Sequence, residues 1–376
     1  MNSEIFKYLF FLTRINNLGN IRIKNILNHF PEPQLIFEIS GDKLKIIEGV
    51  NDKISRLIIN SKKDFRQYED DYDLLLNKIE KNNIKITTIL SDDYPSNLKK
   101  IYDAPIILYY KGNLNELDKY SISIVGTRTP TIYGKSVCEK ITNGLCEIGI
   151  MTVSGMAKGI DSVVHRTTLK NSGITYAILG SGVDVIYPYE NKLLYHDIIV
   201  QGAVISEYVP GAKPDKVNFP KRNRIVSGIG LGTLIVETGA RGGSLITAEF
   251  ALDQNKEIFA IPGNINSQKS VGANELIKKG AAKLVTCVED IINEFDYALK
   301  PILKNRGKGN EQKVSLELDI FEKKIFDVIS YEPIHIDKIN EITGLSISDC
   351  LVQLLSLEFK NIVKQLPGKY FVRMHD

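Results

Sequence analysis

Between residues of about 120 and 295 the chain alternates two kinds of pattern. Short runs at 122–125, 151–154, 175–179, 203–206, 233–236, 258–261 and 283–285 are rich in β-branched residues and nearly continuous in apolarity. Strands that are apolar on both sides are buried on both faces, which predicts a parallel sheet covered by helices. Between the runs, 133–147, 161–170 and 244–254 carry apolar residues at helical spacing. The predicted fold class is therefore α/β, an extended Rossmann-like, doubly wound, mostly parallel sheet.

The flanking segments are patterned differently. Residues 1–115 are rich in Ile, Lys and Asn at helical spacing and predict a helical module plus connector. Two pieces of it, INNLGNIRIKNIL at 15–27 and LKIIEGVNDKISRLI at 44–58, each set a glycine between two apolar helical runs. That arrangement resembles a helix-hairpin-helix, or SAM-like, unit, whose loop amides can grip a phosphate. Both loops lack the usual second glycine, with Asn20-Ile21 and Val50-Asn51 following the first, and a packing module is the simpler reading. Residues 314–376 read as three helices and a hairpin closed by Pro367-Gly368, the order of a winged helix. Its segment 332–360 sets Glu332, Asp337, Glu341, Asp349 and Glu358 against Lys338 and Lys360, a balance that repels phosphate and suits a protein contact. The basic, glycine-containing stretch 299–313 reads as a linker, leaving 116–298 as the Rossmann-like domain.

Composition narrows the class without deciding the function. The 376 residues are 43% hydrophobic and 25% charged, the balance of a globular protein. No apolar run reaches the ~20 residues of a membrane span. The apolar run at the N-terminus is flanked by Lys7 and Arg14 and lacks a small-residue cleavage site, so it reads as a helix rather than a signal peptide. Cys138, Cys146, Cys287 and Cys350 form no CxxC pair, which fits a reduced, cytoplasmic protein with neither zinc nor disulfides, and no cofactor is expected. The net charge of +3 is too small to argue for nucleic acid, so any such case rests on where the cations cluster.

Four loops follow predicted strands, where open α/β sheets bind ligands and helix N-termini present free N–H groups. In Gly126-Thr127-Arg128 the glycine permits close backbone approach and the arginine can fork onto a phosphate. Gly134-Lys135-Ser136 fails as a Walker A loop because Thr129 stands where a glycine is needed. Gly155-Met156-Ala157-Lys158-Gly159-Ile160-Asp161 leads into a helix that Asp161 is expected to cap, with His165 packed four residues on rather than acting as an acid–base or metal partner. Gly180-Ser181-Gly182 falls short of the GxGxxG fingerprint, so NAD binding is not supported. The most basic segment, Phe219-Pro220-Lys221-Arg222-Asn223-Arg224, has three cations in four positions, with Lys213 and Lys216 close by. An anion site and a solvated face are both open readings of it. Glu237-Thr238-Gly239-Ala240-Arg241-Gly242-Gly243-Ser244 then enters a further helix N-terminus as a candidate phosphate nest.

Read in order from 94 to 295, the chain contains YPSNLKKIYDAPIILYYKG, IVGTRTPTIYG, SGMAKGID, AILGSGVDVIYP, ISEYVPG, FPKRNRIVSG, LIVETGARGGSLITAEFAL, IFAIPGN and GANELIKKGA. This ordered set resembles the DNA-processing protein A family (DprA, also called Smf). The resemblance implies a recombination mediator, without catalytic chemistry of its own, that binds incoming single-stranded DNA during natural transformation, protects it and helps load the RecA recombinase. It also implies a DNA pocket using Arg128, Lys158, Lys221, Arg222, Asn223 and Arg224, with Gly126, Gly155, Gly243 and Ser244 supplying backbone approach. A homodimer through the end of the α/β domain, near 274–295, is implied as well. Gly242 departs from the Ser-Gly-Ser expected there and removes a hydroxyl. Phe219 or Tyr187 offers a stacking face for bases. In a competing reading, Gly230-Leu231-Gly232-Thr233 with Glu237 resembles the GGxGTxxE loop of nucleotide-binding phosphoribohydrolases of the lysine-decarboxylase-like group, although Leu231 breaks the glycine pair. A third reading is an interaction scaffold with an unused crevice.

Overall fold

A computed structural model describes residues 3–303, 318–360 and 362–374. Residues 1–304 make one compact unit and 305–376 a second. The first unit opens with helices α1 (Ser3–Arg14), α2 (Gly19–His29), α3 (Pro33–Ile36), α4 (Gly41–Lys45), α5 (Asp52–Asn60) and α6 (Phe65–Lys81). They close over Phe6, Leu9, Phe11, Ile23, Ile26, Ile54 and Ile58, all buried. The two glycine turns seen in the sequence lie side by side. Arg22 joins them, donating from Nε to the Gly49 carbonyl (2.8 Å) and from Nη1 to that of Asn17 (2.9 Å).

The predicted parallel sheet is present and wider than expected. Its strands are β1 (Lys85–Thr88), β2 (Ile107–Gly112), β3 (Ser121–Val125), β4 (Met151–Ser154), β5 (Thr175–Ile178), β6 (Ala203–Ser206), β7 (Gly232–Ile235), β8 (Glu257–Ala260) and β9 (Lys283–Leu284). They form one nine-stranded sheet in the order β1-β2-β6-β5-β4-β3-β7-β8-β9. From β6 to β9 every pairing is parallel, whereas β2 runs antiparallel to both β6 and β1. The boundary expected at 115/116 therefore cuts through the sheet, because β1 and β2 come from the segment read as connector. β1 has no continuous apolar run because it is an edge strand with an exposed and a half-buried residue before its buried pair.

Helices α7 (Ser96–Lys100), α8 (Ile132–Glu147), α9 (Ile160–Lys170), α10 (Lys192–Gln201), α11 (Asn218–Ile229), α12 (Gly243–Asp253), α13 (Val271–Lys278), α14 (Glu289–Ile292) and α15 (Asp296–Leu303) complete the unit. Alternate strand residues feed two cores. Ile122, Ile124, Leu234 and Phe259 pack with Cys138, Ile141 and Leu145 of α8 and Val164 of α9. Val125, Val153, Ile235 and Ile258 pack on the other face with Ile225 and Val226 of α11, Ala248 of α12 and the N-terminal helices. That alternation is the doubly wound arrangement.

The second unit contains α16 (Ile320–Phe326), β10 (Ile334–His335), α17 (Ile336–Thr343), α18 (Ile347–Phe359), β11 (Val363–Leu366) and β12 (Tyr370–Arg373). Its antiparallel sheet has the order β10-β12-β11, and Ile325, Ile339, Leu354, Leu357 and Phe371 form its own core. The winged helix is as predicted, with one short strand added to the hairpin. Among the described residues no helix is long and apolar enough to cross a membrane.

Candidate functional site

Strands β4, β3 and β7 are neighbours at the centre of the sheet, and the loops at their C-terminal ends wall an open groove of about 590 Å³. Gly126, Thr127 and Arg128 line it after β3, and Gly155, Ala157 and Asp161 after β4. Thr238, Gly239, Gly242, Gly243 and Ser244 line it after β7, opposite Phe219, Pro220, Arg222 and Asn223 of α11. Tyr187 and Lys216 complete the rim.

The floor is held by a buried pair of opposite charges. Asp161 accepts from the backbone N–H groups of Gly155 and Ala157, each at 3.2 Å. Arg222 donates to the carbonyls of Gly155 (2.6 Å) and Ile178. A side chain at Gly155 would place its Cβ 2.8 Å from both Arg222 Nη2 and Asp161 Oδ2, so only glycine fits between them. Burial pushes the Asp161 carboxyl upward, opposed by the Arg222 charge. Burial brings the Arg222 guanidinium down to about 10, with Asp161 acting the other way and Arg128 adding repulsion, so it remains charged at neutral pH. His165 is fully buried with Nδ1 2.7 Å from Thr175 Oγ1, and burial takes its imidazole down to about 3. His165 is thus packed in the core as expected, but Asp161 is not the expected helix cap. It lies inside the first turn of α9, whose N-cap is Gly159 with no side-chain cap, and its carboxylate holds the preceding loop instead.

Three features of the lining suit an anion with bases attached. Arg128 is exposed and makes no hydrogen bond or ion pair with the described residues. Ser244 Oγ is buried at the start of α12 without a hydrogen-bond partner among the described residues, and the N-cap Gly242 offers no side chain to the free amides there. The rings of Tyr187 and Phe219 pair at 5.3 Å between centroids and 35° between planes.

Not every residue expected in the pocket lines it. Gly126, Arg128, Gly155, Arg222, Asn223, Gly243 and Ser244 are brought together. Lys158 is exposed and paired with Glu190. Lys221 is exposed, and Arg224 is buried in an ion pair with Glu207 and with Asp103 (2.9 Å). The reason is that 218–229 is helix, not loop. With about 100° between successive residues, 219, 222, 223 and 226 share one face while 221 and 224 point away. Thr127 and Thr238 are lining residues outside the expected set; being uncharged, their only sequence signal is their place just past a strand end.

The glutamate of the competing enzyme reading has another task. Glu237 is buried and accepts from Thr131 N (2.9 Å) and Oγ1 (2.5 Å), while Thr131 caps α8 through Gly134 N (3.0 Å). Glu237 therefore anchors a helix N-terminus and is not among the groove-lining residues.

Comparison with known proteins places this geometry in a family. The family model for DNA recombination-mediator protein A matches residues 85–296, and the DprA winged helix domain matches 312–369. Protein Smf of Synechocystis sp. is 30% identical, over 96% of this chain and 97% of its own length. DNA processing protein DprA of Streptococcus pneumoniae is 45% identical, over 56% of this chain and 74% of its own length. The X-ray structure of that protein covers 78% of this chain and 99% of its own, at 36% identity and a TM-score of 0.65. A structure of DNA processing protein A from Helicobacter pylori, described by its single-stranded DNA binding mode, covers 57% of this chain and 96% of its own, at 29% identity and a TM-score of 0.51. With both domains matched and the strand-end groove in place, the chain belongs to the DNA recombination-mediator protein A family, the DNA-processing proteins known as DprA or Smf.

Proposed function

We propose that this recombination mediator binds single-stranded DNA in the groove between β4, β3 and β7. The observation that carries the reading is the groove's combination of a rim cation, Arg128, and a buried hydroxyl, Ser244, neither with a partner among the described residues, and an aromatic pair, Tyr187 and Phe219. Phosphates meet the cations and helix N-termini, and bases meet the rings; a duplex hides its bases from such a face. The Helicobacter pylori relative, named for this kind of binding, supports it. No bond-breaking step is assigned, since Asp161 is committed to backbone amides and Arg222, and His165 to Thr175. In this reading the bound strand is protected and handed to a RecA-type recombinase in the cytoplasm during natural transformation. The protein self-associates near 274–295, where the sheet-edge strand β9 leaves Leu284 exposed.

The test is fluorescence anisotropy with labelled oligo-dT and a matched duplex across a salt series. With roughly three phosphates neutralised, log K should fall against log[salt] with a slope of about −2, at about 0.7 per phosphate. Tighter duplex binding, or no response to salt, contradicts the reading.

A further inference from the structure

Lys158 stands just past the groove. Its neighbour Ala157 lines the groove, as does Tyr187, and the chain beyond Tyr187 makes one 3₁₀ turn at Tyr189–Asn191. That turn is fastened to the groove wall. Asn191, only 3% exposed, donates from Nδ2 to Met156 O (2.9 Å) and to Ser162 Oγ (2.9 Å), and Ser162 Oγ donates to Ala157 O (2.7 Å). The fastening fixes Tyr189 and Glu190 beside the loop that carries Lys158. Tyr189 is 72% exposed, with Lys192 Nζ 5.7 Å from its ring centroid, and Glu190 pairs with Lys158. A rigidly seated, exposed aromatic with two flanking cations is what a single strand uses, base on ring and phosphate on cation.

We propose that a second nucleotide subsite adjoins the groove, formed by Tyr189, Lys158 and Lys192, and that Glu190 holds its phosphate position until the strand arrives. The proposal rests on the single-strand reading above and extends it along the chain of the ligand. The hydrogen bond from Lys158 holds the Glu190 carboxyl below its usual range, so an anion already occupies the cation. Both partners are more than half exposed, at 55% and 62%, so solvent screens the pair and exchange of carboxylate for phosphate is easy. The pairing explains why Lys158, a cation in a glycine loop, does not line the groove in the free protein.

The full-length protein is tested by anisotropy at low salt with oligo-dT of increasing length, beside Tyr189→Ala, Tyr189→Phe, Glu190→Gln and, as a groove control, Arg128→Ala. Arg128→Ala should weaken every length. Tyr189→Ala should leave the shortest oligonucleotides unchanged and weaken the long ones about 5- to 10-fold, the low end of one lost stack, with Tyr189→Phe restoring most of it. Glu190→Gln should tighten only the long ones. The subsite is overturned if Tyr189→Ala has no effect at any length or the same effect at all lengths, or if Glu190→Gln fails to tighten long oligonucleotides. Failure of the wild-type protein to bind any oligonucleotide sinks the single-strand reading itself, a result separable from loss of the subsite alone.

Discussion

The strand-end groove and the winged helix are both frameworks that can meet DNA, and they treat their charges in opposite ways. At the groove rim the cations are left available. Arg128 and Lys216 are exposed and make no hydrogen bond or ion pair with the described residues, while the buried Arg222 is spent on two carbonyls, Asn223 and the charge of Asp161 and serves the floor. In the winged helix the cation that ends α18 is consumed, since Lys360 donates to the buried Glu322 (2.6 Å). The rest of α18 carries Asp349 and Glu358 and exposes Val352 (63%) and Leu355 (54%). A surface of acidic and apolar side chains suits a protein contact, whereas free cations over helix N-termini suit phosphate. Fold alone would not have separated the two; the pairing of individual charges does.

The largest expected effect breaks the idea that every cation of the 219–224 segment binds ligand. Arg224→Ala leaves Glu207 and Asp103 without their partner in a mostly buried place, and should cost about 3–5 kcal/mol of folding stability by urea unfolding. Burial already pushes the Glu207 carboxyl up, with Arg224 the opposing influence, so its loss also favours protonation. A stably folded Arg224→Ala protein with weakened DNA binding would instead return Arg224 to the site.

A pH series sharpens the contrast between the two units. His165 is held down to about 3, so the unfolded chain binds a proton that the folded unit does not between about pH 6.5 and 3. Its contribution to stability is complete above pH 6.5 and is lost as pH falls. Glu322 is held down to about 2, first by the hydrogen bond from Lys360, so its contribution is present above about pH 4.5 and is lost only below that. Chemical unfolding of residues 1–303 and 314–376 separately should show the first unit weakening at pH 5 while the winged helix does not. A His165→Gln variant should flatten the first curve, and equal acid sensitivity of the two units would refute the assignment.

Ser244→Ala should lower oligo-dT affinity about 3- to 10-fold while leaving the unfolding midpoint unchanged or higher, because Oγ makes no hydrogen bond with the described residues. A loss of stability instead would mean the hydroxyl serves the fold. The smallest effect concerns the winged helix. A chain ending at residue 303 should keep its oligo-dT affinity within about twofold at moderate salt, and residues 314–376 alone should bind no DNA. A large loss in the shortened chain would show that the acidic helix misleads.

Much of this was legible in the sequence. Strands such as β4 and β6 were read to the residue, because a strand buried on both faces leaves an unbroken apolar run. β1 was missed, since only half of its residues are buried. Helix α11 was missed because Phe219-Pro220-Lys221-Arg222 looks like a turn, although proline is tolerated in a first helical turn where its missing N–H has no acceptor. That single omission scattered the basic cluster, since a loop would let three cations converge and a helix sends them to different faces. The loop glycines and Arg128 were found because strand-end loops need them whatever the helix behind does. The carboxylates that take up Lys158 and Arg224 come from distant positions, 190, 103 and 207, which no local pattern links.

The most direct test of the central claim is a charge-matched comparison of Arg128→Glu with Lys221→Glu, both exposed positions and both changing the net charge equally. Oligo-dT anisotropy at one salt concentration should show a loss of about 100-fold or more for Arg128→Glu, which sets a carboxylate against phosphate at the groove rim, and only a few-fold change for Lys221→Glu. Equal losses in the two variants would mean that DNA is held by diffuse charge over the surface, and would contradict a defined binding groove.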